Sequence, residues 1–322
     1  MRYSMLFILL VCSAAFAQTE KPPAKYSIAY NVLLDSKTSN YEIFVMDTDG
    51  KNQRNISNSP GTDWLYSAHG DKLYFVSSRD CQRCYSLYEM DADGKNVRKL
   101  LEQKVDDSFV SARNKGRELI IEPRIADSKT QQFWIIDAAS GKTVREIKVD
   151  LALINDPAFS PNGKQVVFRG AKVRPSAASA GGTEFDELYI MNDDGSGLRK
   201  LTSYPADDKT AKWHDYHAGP PRWVSKTGLI TYPSQQKSKM SLYGITPDGK
   251  RQFKLTEGTN DEGYHDWTPD GRWMTMDTAL PIEGTADKKN YDIYLYDRKN
   301  KKQIRLTTGE RYEQCPVFVK KK

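Results

Sequence analysis

Cysteine, histidine and long apolar runs are scarce in this chain, and each scarcity removes a class of function. Only 4 of the 322 residues are Cys and 4 are His. Cys81 and Cys84 form a Cys-x-x-Cys pair, but no second ligand pair stands nearby to complete a zinc site. Residue 85 is Tyr rather than His, so c-type haem attachment is excluded. A redox Cys-x-x-Cys should open a helix, and this one sits between two strand-like segments. The spacing leaves a local disulfide and two free thiols as alternatives, with Cys315 left over. The one pronounced apolar run, residues 5–11, is too short to span a bilayer. No stretch sustains the apolar period of a helix. The formal charge is +6, with the bases scattered along the chain and residues 320–322 forming a solvated tail. No concentrated basic face exists for nucleic acid.

What is present begins with a leader. Arg2 gives a positive start, residues 5–11 an apolar centre, and Ala15-Phe16-Ala17 a small-residue cleavage signal. Cleavage is expected after Ala17. Residues 1–17 are then a signal peptide, 18–24 a spacer, and 25–322 the folded domain of a periplasmic or secreted protein. Val11 ahead of Cys12 does not fit a lipoprotein signal. Hydrophobic residues make up 38% of the chain, too few for a membrane protein and ample for a soluble core. Eighteen Tyr and 6 Trp favour pleated, half-buried surfaces.

The informative feature is an internal repeat. Strand-like segments end in an Asp-like turn at residues 47, 91, 137, 192, 246 and 297, spaced 44, 46, 55, 54 and 51 apart. A second short segment follows each, at 53–57, 97–101, 144–148, 198–202, 252–256 and 303–307. Ahead of them lie segments at 64–68, 108–112, 157–161, 221–225 and 265–269, then apolar runs at 73–76, 119–122, 166–169, 229–232 and 273–276. We name the four strands of a unit a, b, c and d. Five units run from Trp64 to Thr307. A sixth takes strand a from residues 315–319 and strands b to d from residues 26–57. The expected fold is all-β: a six-bladed β-propeller with four antiparallel strands per blade, closed by N-terminal strands pairing with the C-terminal strand. Asp-x-Asp-Gly turns such as Asp47 to Gly50 lack the distal Glu of a calcium loop and read as turn formers.

The repeat also resembles a known family. Pro157, Phe159, Ser160, Pro161, Asn162, Gly163 and Lys164, followed by Leu188, Tyr189, Met191, Asp194, Gly195, Leu201 and Thr202, are similar to the WD40-like repeat of TolB-type propellers. Asp266 to Arg272 gives the next copy. The resemblance covers nearly all of the mature chain and implies the fold rather than one role. TolB carries an α/β domain ahead of its propeller, for which this chain leaves no room, so a translocon role is not expected. Related propellers sit on hydrolase domains with a Gly-x-Ser-x-Gly elbow; this sequence contains none, so peptidase activity is not expected.

Loop lengths point to a working face. The a–b and c–d turns are short and share one face of a meander. Insertions at 77–84, 170–185, 277–290 and 203–220 fall on the other, where a rigid scaffold places binding sites. His214 and His217 lie in the loop before blade 4, and His265 begins strand a of blade 5. Asp215, Tyr216, Asp261, Glu262, Tyr264 and Asp266 stand around them. Trp213 and Tyr216 fall outside the repeat pattern and are candidates to stack on a sugar or peptide. Trp223 and Trp267 align with Phe159 and belong to the core, and His69 occupies the opposite face.

Two functions follow. The first is a monomeric, non-catalytic propeller that binds a protein, peptide or carbohydrate through Trp213, Asp215, Tyr216, Asp261, Glu262, Tyr264 and Asp266. The second is a metal-dependent carbohydrate-active enzyme holding a divalent transition metal on His214, His217 and His265. Some oligogalacturonate lyases are similar in type, pairing such a propeller with a His-bound metal, without a shared residue motif. The first is favoured because no complete catalytic constellation is visible.

Overall fold

The computed structural model describes residues 22–80, 84–126, 130–173, 186–205, 208, 210, 215–236, 239–281 and 289–321. Six antiparallel sheets form six blades. Among the described residues there is no α-helix, and no helix is long and apolar enough to cross a membrane. Blade 6 is shared between the chain's ends. Its central strand b, Tyr26–Asp35, pairs with strand a, Tyr312–Lys320, on one side and strand c, Asn40–Asp47, on the other. Strand d, Arg54–Asn55, completes the sheet.

Alternation along strand b explains how the blades stack. Ile28, Tyr30 and Val32 pack with Trp273, Ile293 and Leu295 of blade 5. Ala29, on the other side of the same strand, packs with Leu65, Leu73 and Phe75 of blade 1. Both faces are thus buried between blades, which is why the strands read as apolar on both sides. Tyr30, Phe75, Phe168 and Tyr232 take equivalent positions and are all fully buried. Each contributes about 2–3 kcal/mol.

The Leu-Thr ending of the repeat has a structural cause. Thr202 Oγ1 accepts the Leu188 N–H at 2.9 Å and donates to Glu187 at 2.5 Å. Thr307 accepts the Ile293 N–H at 2.9 Å, and Ser57 accepts that of Ile43 at 2.9 Å. The hydroxyl at the end of strand d therefore satisfies the first buried amide of strand c. The Asp-x-Asp-Gly turns form as read: Gly94 has φ +87, and a Cβ there would come within 2.5 Å of the Ile56 carbonyl of the neighbouring blade. Only Gly serves both conditions.

Three boundaries differ from the sequence reading. Strand a of blade 2 is only Ser111–Arg113, because the Phe109 N–H goes to Asp156 Oδ1 of blade 3, at 3.1 Å, instead of the ladder. Residues 216–218 are not loop. Tyr216–Ala218 pairs with the end of Leu229–Gln236, giving His217 opposite Gln235. Gly219, Pro220 and Pro221 then break the strand, since proline offers no N–H to the ladder, and it resumes at Arg222–Val224. In blade 5 much of the expected insertion is strand: Trp273–Pro281 pairs with Lys289–Asp297 as far as Pro281 opposite Lys289.

Candidate functional site

Strand a of each blade lines the central channel, starting at the loop-bearing face. Its ladder is irregular in four blades: at Leu65/Ser67, Asn155/Ala158, Glu262/His265 and Gln314/Val317. Such bulges re-aim side chains. Two hold left-handed backbone, Asp156 at φ 57 and Cys315 at φ 53. Strained conformers of this kind persist only where neighbours hold them. Asp156 donates its N–H to Ser108 Oγ at 2.8 Å, and its Oδ1 accepts the Phe109 N–H at 3.1 Å. Cys315 donates its N–H to Asp277 Oδ2 at 2.8 Å.

A second ring comes from strand b, at the position opposite the buried Ile or Leu of strand c. It holds Asn31, Val76, Arg169, Pro233 and Asp277, facing Ile43, Leu87, Leu188, Leu242 and Ile293. In these five blades the strand c partner is branched aliphatic, whereas the strand b residue changes chemistry from blade to blade.

The two rings enclose a cavity of about 660 Å³ at the loop-bearing mouth, to which all six blades contribute. Its wall is aromatic. Trp64 meets Tyr41 edge-on with ring centroids 4.6 Å apart, Phe109 lies 4.8 Å from Tyr66, and Tyr264 lies 5.6 Å from Phe109. Its polar lining is acidic: Asp107, Asp156, Asp261, Glu262 and Asp277. Arg169 is held by Asp156 and, at 3.0 Å, by Asp186. Burial raises the Asp277 carboxyl to about 7, against the pull of the Cys315 and Tyr264 N–H groups. Asp107 is exposed along the mouth, and crowding by its surroundings, then the Asp156 charge, raises its pKa too. Burial also drives the Tyr264 phenol and the Cys315 thiol well above their ordinary values. Gly263 fits where a Cβ would come within 2.2 Å of Asp277 Oδ1.

Of the residues singled out from sequence, His217, Asp261, Glu262 and Tyr264 line this cavity. Asp261 Oδ1 accepts the Met240 N–H at 3.0 Å. Glu262 is buried and accepts from Gln303 Nε2 at 3.1 Å and from the Thr256 hydroxyl, so it ties blades together. Tyr216 turns to Asp208, donating its hydroxyl at 3.1 Å, and its ring lies 6.0 Å from that of Tyr204. Asp215 is half-buried just before that strand. His265 alternates away from the channel into the blade 4–5 packing, where Nε2 lies 2.8 Å from Thr231 Oγ1. Burial, and then the Arg222 charge, lower its pKa to about 3. Asp266 sits further along the strand, at the opposite mouth, accepting the Phe318 N–H at 2.9 Å. Trp213 and His214 lie outside the described residues. Among the described residues no group of three or more His, Cys, Asp and Glu is placed to hold a metal ion. Cys84 is disulfide-bonded and Cys315 is a buried free thiol; Cys81 lies outside the described residues.

The opposite mouth is a second cavity of about 710 Å³ that includes His69. Arg222 stands between the two. It donates to the Tyr66 carbonyl at 2.8 Å and the His265 carbonyl at 3.2 Å, and its guanidinium stacks 4.1 Å from the Phe109 ring.

Sequence reading missed Trp64, Tyr66, Asp107, Phe109, Asp156, Arg169 and Asp277. The signal for the last two was available: a charged residue at a strand b position that faces an Ile or Leu in these blades.

Fold and mouth together define a six-bladed β-propeller with an aromatic and acidic cavity on its loop-bearing face. Its structural neighbours are TolB-like six-bladed propellers. TolB from Acinetobacter baumannii matches with a TM-score of 0.67 and 14% identity, over 93% of this chain and 68% of that one. Hydrazine synthase from Kuenenia stuttgartiensis gives 0.68 and 14%, over 93% and 47%. An oligogalacturonate lyase in complex with manganese gives 0.50 and 15%, over 83% and 70%. No family model matches. Among curated proteins, dipeptidyl-peptidase 5 of Porphyromonas endodontalis is 27% identical over 150 residues, 46% of this chain. The uncharacterized peptidase YuxL of Bacillus subtilis is 23% identical over 195 residues, 52% of this chain. The match spans only 19% and 28% of those relatives' own lengths.

Proposed function

We propose that this chain is an exported, non-catalytic binding propeller that takes a peptide, protein or glycan segment into the cavity of its loop-bearing face. The cavity's make-up carries the reading: a continuous aromatic wall from Tyr41, Trp64, Tyr66, Phe109 and Tyr264, on a scaffold to which every blade contributes. About 660 Å³ lies within the range of small-ligand sites, and such sites are largely apolar with a few convergent polar groups. Arg2, residues 5–11 and Ala15 to Ala17 support export with cleavage after Ala17. The disulfide at Cys84 suits an oxidising compartment. Calorimetric titration of a panel of short peptides and oligosaccharides tests the proposal. A binder weakened by Trp64→Ala and indifferent to His69→Ala supports it. A binder with the reverse dependence overturns it.

A second reading keeps the metal-dependent carbohydrate-active enzyme, because His217 lines the same cavity as Asp261 and Glu262. His214 would have to complete that set. Elemental mass spectrometry on untagged protein separates the two. About one equivalent of Zn, Mn or Fe, lost in His217→Ala, favours the enzyme; folded, metal-free protein favours the binder.

A further inference from the structure

The charge of the mouth and one unsatisfied hydroxyl specify the ligand more narrowly; this rests on the mouth being the binding site. Five carboxylates line the cavity, from Asp107, Asp156, Asp261, Glu262 and Asp277. Against them, among the described residues, the lining holds one guanidinium, Arg169, already clamped by Asp156 and Asp186, and behind the Phe109 ring stands Arg222, committed to the Tyr66 and His265 carbonyls. Asp277 takes only backbone N–H donors, from Cys315 at 2.8 Å and Tyr264 at 3.1 Å, so its charge has no cationic partner in those contacts. Tyr66 lines the same cavity at 3% exposure, and its buried hydroxyl has no hydrogen-bond partner. An orphaned buried hydroxyl beside a cavity is a place for a ligand atom. Faces of Trp and Tyr attract a cation within about 6 Å of the ring, and the attraction strengthens when water is excluded.

We propose that this cavity binds a primary ammonium group, carried by a peptide as its amino terminus or a lysine side chain, against the rings of Trp64 and Tyr66 and the acidic lining to which Asp107 belongs. An ammonium has three donors and no acceptor, which suits a lining of carboxylate and phenol oxygens. The same lining disfavours uronate-bearing oligosaccharides, whose carboxylates would face like charge.

Titration calorimetry at pH 8 tests this with four probes: Ala-Ala-Phe amide, its Nα-acetyl form, Nα-acetyl-lysine methylamide and trigalacturonate. The tripeptide amide, the lysine derivative or both should bind, and which of them binds assigns the source of the ammonium. For whichever binds, Asp107→Asn should weaken binding about tenfold or more, the loss expected for a charge-assisted hydrogen bond. Asp107 faces the mouth's own water, so this variant stays folded even if Asp277→Asn does not. Equal or tighter binding of the acetylated tripeptide or trigalacturonate, abolished by Trp64→Ala, would overturn the ammonium inference and leave the mouth as the site. Ammonium probes that bind Trp64→Ala as well as wild type would overturn both. No binding of either ammonium probe at millimolar concentration would overturn the inference.

Discussion

The Asp277 carboxylate accepts the Cys315 N–H at 2.8 Å, joining strand b of blade 5 to strand a of blade 6. Asn31 holds the same register position one blade on, and it also clamps the next strand a: Oδ1 accepts the Leu65 N–H at 2.8 Å and Nδ2 donates to the Leu65 carbonyl at 3.0 Å. One position of strand b thus joins successive blades, and in blade 5 it also supplies an acidic wall of the mouth.

Burying these acids has a signed cost. In the unfolded chain Asp277 and Glu122 lose their protons near pH 4. In the fold, burial raises Asp277 to about 7 and Glu122 to about 8. Between those limits the unfolded state binds fewer protons, so stability falls as pH rises from about 4 to about 8. The urea midpoint should decline across that range, most cleanly above about pH 7.5, where the unfolded His265 side chain has also finished titrating. Asp277→Asn and Glu122→Gln should each flatten that slope. An unchanged slope in both variants would contradict the assignment.

His265 acts with the opposite sign. Its folded pKa of about 3 lies below the ordinary value, so the stability its neutral form allows is lost as pH falls from about 6.5 toward 3. His265→Asn should cost about 1–2 kcal/mol at pH 7 by disturbing the Thr231 contact, soften the acid loss, and leave metal content unchanged. Urea unfolding at pH 5 and 7 with elemental mass spectrometry reads all three. Loss of a bound metal at unchanged stability would contradict this role.

Arg222 spans the channel from blade 4 to carbonyls of blades 1 and 5 and the ring of Phe109 in blade 2. Arg222→Ala should cost about 2–4 kcal/mol, since two buried carbonyls lose charged donors. Arg222→Lys should recover only part, because an ammonium lacks the planar fork that reaches both. Urea midpoints order the three proteins; an alanine variant as stable as wild type would contradict the bridge.

The fold was legible because it repeats: six copies of one four-strand unit, three of them ending in Leu-Thr, outweigh irregularity in any single blade. The loop-bearing face was legible from loop lengths, and four of the candidate site residues line the cavity there. The remainder was hidden by the bulges of strand a. A two-residue irregularity decides that Tyr264 faces the mouth, that His265 points into the blade packing and that Asp266 reaches the far end, although the three are adjacent in sequence. Trp64 and Phe109 were not singled out because they fall within ordinary strand a segments of the repeat. Their role depends on the empty centre of the ring, which no local pattern records.

Crystals soaked separately with Ala-Ala-Phe amide, Nα-acetyl-lysine methylamide and trigalacturonate would locate the binding site without assuming which of them is nearest the natural ligand. Density should collect between Trp64, Tyr66, Phe109 and Tyr264 at the loop-bearing mouth. Density confined to the opposite mouth, around His69 and Asp266, would contradict the account.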